Sequence, residues 1–424
     1  MLSVIIPVYN NWHLTKQCLT SLAKTTPQGS YEVIVIDNAS TDATPKACPP
    51  FLAALFPGNH QYERMAKNCN FAGAINRGVA KATHDFVFWL NNDTILLDNW
   101  LPPLEKAFAA NPSLGAIGPL LLYPDSSVQH LGITFSLDRQ VAHLYEWFPA
   151  SHAVVGKERT FQAITGAAFY IPRSRFLALG GLDERFVNGF EDIEFCDRLL
   201  GEHFVQAVVP TSRIIHLAKQ SEGRSDCDRA NSQLCSNLCR HIRCDKPRLW
   251  REDGYEVCLS PWFEGKHMIL EPLVPKKNHP KHYAEDRLQE AVAEEPFWFE
   301  GALALAQQWE SQGNLKDAFA CYTRLCRFCS TPKVLIPFAL FACRHDPLSL
   351  SSLIPALQGF QTNPDSRLAS LYHTQKQART LGDVVLAHQA KQLQVHNTAF
   401  FEREYPKLTA CLEVCKRVFE EQRS

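Results

Sequence analysis

The chain has 424 residues, 46% hydrophobic and 21% charged, a composition that suits a globular protein with two or three domains and well-buried cores. Lysine plus arginine number 43 against 44 acids, so no global charge points to nucleic acid or an anionic membrane surface. No apolar run approaches the ~20 residues of a bilayer span. The opening MLSVIIPVYNN lacks the basic flank and cleavage site of a signal peptide. A cytoplasmic protein is expected, with peripheral attachment at the inner face of a membrane as a variant. The 15 cysteines are spread along the chain and are expected as reduced, largely buried thiols. Their densest run, Cys227, Cys235, Cys239, Cys244 and Cys258, lacks the paired C-x-x-C spacing of a zinc site.

In chain order, LSVIIPV (2–8) predicts a strand ending in a turn. A helix follows with Leu14, Cys18, Leu19 and Leu22 on one face. EVIVID (32–37) predicts a second strand. NFAGAINRGVAKA (70–82) has helical spacing and an asparagine available as cap. DFVFWL (85–90) is a strand too apolar to face water on either side. Such strands, separated by helices, argue for a parallel sheet covered on both faces. Ligands of such sheets sit at the carboxyl ends of the strands. The residues there are Pro7-Val8-Tyr9-Asn10-Asn11, Asp37-Asn38-Ala39-Ser40-Thr41-Asp42 and Asn91-Asn92-Asp93-Thr94. Neither the G-x-G-x-x-G of a dinucleotide site nor a P-loop follows the first strand. Residues 121–250 are less regular and contain TGAAFYIPRSRF (165–176), GGLDERF (180–186), VNGFEDIEFCDR (187–198) and RIIHLAKQS (213–221). Residues 245–284 are proline-containing and read as a linker or extension, and residues 285–424 read as amphipathic helices.

Six blocks in order, SVIIPVYNN, VIDNASTDAT, NCNFAGAINRG, WLNNDT, TGAAFYIPRSRFLALGGLDERF and NGFEDIEFCDRL, resemble an inverting family 2 glycosyltransferase over roughly residues 1–220. The nearest wording is that of its rhamnosyltransferase-like members. The resemblance implies an α/β GT-A fold, a mostly parallel sheet flanked by helices, over residues 1–244, ahead of the 245–284 extension and an all-α region at 285–424. It implies a nucleoside held by Pro7, Tyr9 and Asp37, the carboxylate accepting the N3–H of uracil or thymine. Asp42 is either a nucleoside contact or a helix cap. Phe71, Gly73 and Asn76 are expected along the donor. WLNNDT corresponds to the family's metal motif, with Asn91 where a first aspartate often stands, then Asn92 and Asp93. A Mn or Mg ion bridging the diphosphate would take its anionic protein ligand from Asp93, so its binding should depend on the donor. His216 is expected as a metal or phosphate ligand, with Lys219 and Ser221 near the diphosphate. The acceptor hydroxyl must lose a proton as it attacks the anomeric carbon. By resemblance Asp192 is the base, beside Glu191, and Gly166 and Ala167 lie under the sugars. In the same helix Phe190, Ile193 and Cys196 are expected to be buried, and Glu194 and Asp197 to be solvated.

In the C-terminal third, residues 303–332 and 367–396 resemble degenerate tetratricopeptide hairpins, with turns near Gly313 and Gly382. They would offer a surface for a protein partner or self-association. The chain is expected to transfer one sugar from a pyrimidine nucleotide donor to a hydroxyl of a glycan, lipid-linked glycan or protein. A non-catalytic, transferase-like scaffold is the alternative, supported by Asn91. Donor sugar, acceptor and linkage have no signature in the sequence.

Overall fold

The computed structural model describes residues 1–27, 29, 31–217, 227–265, 267–274 and 279–422. They fall into two units, one of residues 1–134 and 141–243, the other of residues 135–140 and 244–424.

The first unit is built on β1 (Leu2–Val8), α1 (Trp12–Thr25), β2 (Tyr31–Asp37), α2 (Thr44–Leu55), β3 (His60–Arg64), α3 (Asn70–Lys81), β4 (Phe86–Leu90), β5 (Thr94–Leu96), α4 (Leu101–Ala110), β6 (Leu114–Leu122), β7 (Val128–His130), β8 (Ile133–Phe135), β9 (Val141–His143), β10 (Thr160–Phe161), β11 (Ala168–Pro172), α5 (Arg173–Ala178), α6 (Glu191–Gly201), β12 (Val205–His216) and α7 (Asp228–Leu238). Among the described residues ten strands form one sheet in the order β10-β12-β6-β11-β4-β1-β2-β3, with β5 on β12 and β7 on β6. β1 runs parallel to β2 and β4, β2 to β3, and β12 to β6, whereas β11 is antiparallel to both neighbours. This mostly parallel sheet with flanking helices is the architecture that the resemblance implies. Every residue of β2 is buried, as its unbroken apolar run requires of a sheet covered on both faces. β3, HQYER, has no such run and lies at the sheet edge with its residues part-exposed. α3 covers the expected helix, but no side chain caps it: Asn70 sits at φ 58° and its N–H is taken by Asn68 Oδ1 at 2.9 Å.

An aromatic cluster fixes α6 against the sheet. Trp89 of β4 stacks on Phe169 of β11 at 4.3 Å between ring centroids, and Phe176 of α5 and Phe195 of α6 close around them at 5.5 and 6.4 Å. Such contacts add about 0.5–1.5 kcal/mol each beyond area burial. They hold the first turn of α6 near the carboxyl end of β4.

The second unit contains α8 (Lys246–Glu252), a hairpin of β13 (Glu256–Glu264) and β14 (His267–Leu273), and helices α9 (Glu285–Glu294), α10 (Phe299–Ser311), α11 (Leu315–Phe328), α12 (Pro332–His345), α13 (Leu350–Gln358), α14 (Pro364–Thr380), α15 (Val384–Val395) and α16 (Asn397–Glu421). The stretch read as a linker or extension thus carries a helix and a β-hairpin. α10/α11 and α14/α15 are antiparallel pairs whose turns contain Gly313 (φ 77°) and Gly382 (φ 74°). Arg367 is buried: its guanidinium donates to the Pro261 carbonyl at 2.9 and 3.2 Å and to Asn397 Oδ1, and lies 4.3 Å from the Phe400 ring centre. Gln389 of α15 accepts from Leu259 N–H and donates to the Val257 carbonyl, so one side chain satisfies both kinds of backbone group on β13. Among the described residues no helix is long and apolar enough to cross a membrane.

Candidate active site

The polar turns expected to carry function lie together at the carboxyl ends of β1, β2 and β4. Val8 pairs with Asp37, which brings the first two turns side by side. Asn10 and Asn11 both have φ 56°, a left-handed conformation that asparagine tolerates. Asn10 Oδ1 accepts from Thr41 N–H at 2.7 Å, and its own N–H donates to Ser40 Oγ at 2.8 Å. Asp37 is fully buried: one oxygen accepts from Ser40 N–H at 2.8 Å, the other from the Tyr62 hydroxyl at 2.6 Å, with Arg64 Nε 3.6 Å away. Each oxygen thus accepts one bond and keeps a second lone-pair site. Burial, and then the Asp37 carboxylate, push the Tyr62 phenol well above its ordinary value. Asp42 accepts from Trp12 N–H at 3.0 Å and Thr44 N–H at 2.9 Å, at the starts of α1 and α2. Partial desolvation opposes its charge, but bonds from Thr44 and Trp12 outweigh it and hold its pKa below the usual carboxylate range. Pro7 is half-buried in β1, and Tyr9 is 48% exposed.

The second cluster is made by strand pairing. β5 runs antiparallel to the end of β12 with Thr94 opposite His216, and Leu217 N–H donates to the Asp93 carbonyl at 2.9 Å. Asp93 Oδ1 and His216 Nε2 come to 3.1 Å, with side chains 11% and 5% exposed. Asn91 Nδ2 lies 3.3 Å from the same nitrogen. Asn92 instead turns to α1 and donates to Thr15 Oγ1 at 2.9 Å. Behind His216 stands Gln129, its Oε1 2.5 Å from Nδ1 and its Nε2 donating to the His216 carbonyl at 2.9 Å. Cis ligands of an octahedral cation with bonds of about 2.0–2.1 Å lie about 2.9 Å apart, so the Asp93–His216 pair fits a divalent ion. Among the described residues no group of three or more His, Cys, Asp or Glu could hold a metal. Further ligands would have to come from a bound molecule, as a donor diphosphate would provide. Lys219 and Ser221 lie outside the described residues.

The third cluster adjoins it. Asn91 N–H donates to the Ala167 carbonyl at 2.9 Å, and the neighbouring Gly166 N–H donates to Asp192 Oδ2 at 2.6 Å. Asp192 Oδ1 accepts from Ile193 N–H at 2.8 Å. A Cβ on Gly166 would stand 3.2 Å from Asp192 Cβ and 3.4 Å from the Phe71 ring, tighter than ordinary contacts, so glycine permits this approach. Of the four acids in this helix, Asp192 alone is not buried. Glu191 reaches back to Gly189 N–H at 2.7 Å. Glu194 and Asp197, expected to be solvated, are buried: Glu194 forms a two-bond pair with Arg198, and Asp197 accepts from the N–H groups of Arg240, His241 and Ile242. α6 is enclosed on more sides than its apolar spacing suggests, and each buried acid has found donors, as burial demands. Ile193 and Cys196 are buried as expected, while Phe190 is a part-exposed N-cap at φ 71°.

α3 closes the fourth side. Phe71 N–H donates to Asn188 Oδ1 at 3.0 Å, and Asn38 bridges the β2 turn to Cys69 N–H and the Asn70 carbonyl. A Cβ on Gly73 would stand 2.8 Å from Cys69 Cβ, with Glu184 next nearest. Asn76 clamps the 182–184 loop, accepting from Leu182 N–H and donating to the Leu182 carbonyl and Glu184 Oε1. Tyr62, Gln129 and Asn188 escaped the sequence reading. Asn188 opens NGFEDIEFCDRL, but nothing in the local sequence marks the other two.

Residues 3–161 match the model of glycosyl transferase family 2. That match covers less than half of the chain. Among related glycosyltransferases, the N-acetylglucosaminyl-diphospho-decaprenol L-rhamnosyltransferase of Mycobacterium tuberculosis is 27% identical over 254 residues, 53% of this chain and 78% of its own. The O-antigen biosynthesis protein RfbC of Myxococcus xanthus is 28% identical over 225 residues, 50% of this chain and 17% of its own. In two of the curated relatives the matched part is only 25% and 17% of the relative's length. Among solved structures, GalNAc-T7 with UDP, GalNAc and Mn2+ aligns at a TM-score of 0.45 and 20% identity over 53% of this chain and 44% of that one.

Proposed function

We propose that the chain is a metal-dependent inverting glycosyltransferase. It moves a single sugar from a UDP- or dTDP-sugar to a hydroxyl of a glycan, lipid-linked glycan or protein. One observation carries this reading. The Asp93–His216 pair and Asp192 are joined through the Asn91–Ala167 and Gly166–Asp192 hydrogen bonds, so a leaving-group site and a base share one backbone crossing.

The turn latched by Asn10, Asp37 and Asp42 receives the nucleoside, with the exposed Tyr9 ring as its open wall. Asp93 and His216 would hold a divalent cation, which would supply charge neutralisation to the departing diphosphate. Asp192 takes the proton of the acceptor hydroxyl as oxygen attacks the anomeric carbon on the face opposite the diphosphate. The N–H groups of Gly166 and Ile193 keep its carboxylate pointed. The Mycobacterium relative's name favours a deoxysugar and a diphospho-lipid acceptor, and the Myxococcus relative's name favours a polysaccharide product. The helical unit is proposed as a surface for a partner or a second copy, which molar mass against concentration would test.

The Asp192→Asn variant is expected to lose about 100- to 10,000-fold in turnover, the usual reach of a general base, with donor affinity unchanged. Undiminished turnover removes Asp192 from the mechanism. A thermal-shift screen with Mn2+ should show stabilisation by uridine and thymidine donors and none by guanosine donors. Absence of binding and hydrolysis for every nucleotide sugar would favour the scaffold reading, which the amide at Asn91 supports.

A further inference from the structure

We propose that Gln129 is a positioning residue that fixes the tautomer of His216, leaving Nε2 as a lone pair turned toward Asp93. The inference rests on the reading of Asp93 and His216 as a cation site. It starts from a β-bulge. Leu121 pairs with His130 and Leu122 with Val128, so one residue of β6 is matched by two of β7 and Gln129 is the extra one. Bulges re-aim side chains, and this one sends Gln129 to both the backbone and the ring of His216, a residue 87 positions away.

The proton assignment follows from what each atom can do. The His216 carbonyl only accepts, so the amide nitrogen of Gln129 must face it, as it does at 2.9 Å. The amide oxygen is then the atom 2.5 Å from His216 Nδ1. That oxygen only accepts, so Nδ1 carries the hydrogen. A neutral imidazole has one N–H, which leaves Nε2 bare. Nε2 lies 3.3 Å from the amide nitrogen of Asn91 and 3.1 Å from a carboxylate oxygen of Asp93. A lone pair and a carboxylate oxygen at that distance repel unless a proton or a cation stands between them, and a neutral ring with its hydrogen on Nδ1 leaves that place to a cation. The other tautomer would donate from Nε2 to Asp93 and consume both ligands in one hydrogen bond. Gln129 keeps the pair open. Gln129 and His216 are 6% and 4% exposed, so solvent has little access to substitute for the amide. Partners on the second nitrogen of a ligating histidine commonly set its orientation and basicity.

The test reads the tautomer first, without metal. Nitrogen-15 imidazole spectra of the cation-free full chain, at about pH 8 and above the ordinary histidine range, are assigned with His216→Asn. The wild type is expected to show Nδ1 protonated and Nε2 bare. Gln129→Leu should move the proton to Nε2, whereas Gln129→Glu, which keeps an acceptor at Nδ1, should retain the wild-type pattern. Mn2+ binding with UDP, and separately with GDP, is then followed by the electron paramagnetic resonance of the free ion. Gln129→Leu should weaken it about 10- to 100-fold and Gln129→Glu only a few-fold. The Glu variant separates loss of the hydrogen bond from loss of the fold. A wild-type imidazole protonated at Nε2 overturns the inference, as does a Leu variant with the wild-type tautomer or with unchanged Mn2+ affinity. If the wild type binds no Mn2+ with either nucleotide, the cation reading falls, while the tautomer spectra still decide for or against Gln129.

Discussion

Asp192 differs from its three acidic neighbours in being part-exposed, and it accepts from Gly166 N–H beside the Asn91–Ala167 crossing. Sequence spacing could not sort these acids. All four sit within one helix, and the donors that bury Asp197 come from residues 240–242, far along the chain. The same limit applies to Asn91. Its type was plain in WLNNDT, but its distance of 3.3 Å from His216 Nε2 depends on the pairing of β5 with β12. That distance makes Asn91→Asp informative. A second carboxylate beside Asp93 should tighten Mn2+ binding in the absence of nucleotide by about tenfold, since ligand charge sets affinity at such oxygen sites. Titration of the free ion measures it, and unchanged or weaker binding would place the residue 91 side chain away from the cation.

Among the elements, those with a strong apolar signal were legible: β1, β2 and β4 fall where LSVIIPV, EVIVID and DFVFWL predict them. β3 was not, because an edge strand has little need of apolar residues. Gln129 was invisible for a related reason, since a bulge leaves no local pattern. The entry ends of the strands are tied by one acid. Glu32 in β2 accepts from Ser3 Oγ at 2.6 Å, from Thr83 N–H and Oγ1 at 2.7 Å, and from Gln61 Nε2 at 3.1 Å. Burial raises its pKa, but these bonds outweigh it and hold the group below its ordinary 4.5. A carboxylate lowered in the folded state contributes stability that is complete above its unfolded value and is lost as pH falls through the folded one. Urea midpoints should therefore drop below about pH 4.5. Glu32→Gln should cost about 1.5–3 kcal/mol at neutral pH, the range for a hydrogen bond to a charged group, and flatten that acid limb. An acid limb of equal steepness in the variant would assign it to other carboxylates.

At the scale of the whole molecule, the two units bear different loads. Every residue proposed for donor, cation or base within the described chain lies in the unit of residues 1–134 and 141–243. A ligand that binds only the folded form stabilises it by about 2.7 kcal/mol at a hundredfold excess over its Kd. With UDP and Mn2+ present, amide exchange should slow across β1, β2, β4 and the start of α6, and stay unchanged in α8 to α16. Slowing confined to the helical unit would move the nucleotide site there. The 15 cysteines are all unpaired thiols and none is exposed, so their number reflects interior packing more than reactivity.

The hexapeptide 135–140 groups with residues 244–424, although the chain on either side of it belongs to the first unit. Its Phe135 N–H donates to Asp245, and its Asp138 meets His267 at 3.0 Å. The polypeptide therefore crosses the boundary after Thr134, after Gln140 and after Arg243. A chimera spliced only at residue 243 is expected to lose the Phe135–Asp245 and Asp138–His267 contacts, whereas one that also carries the matching hexapeptide should keep them.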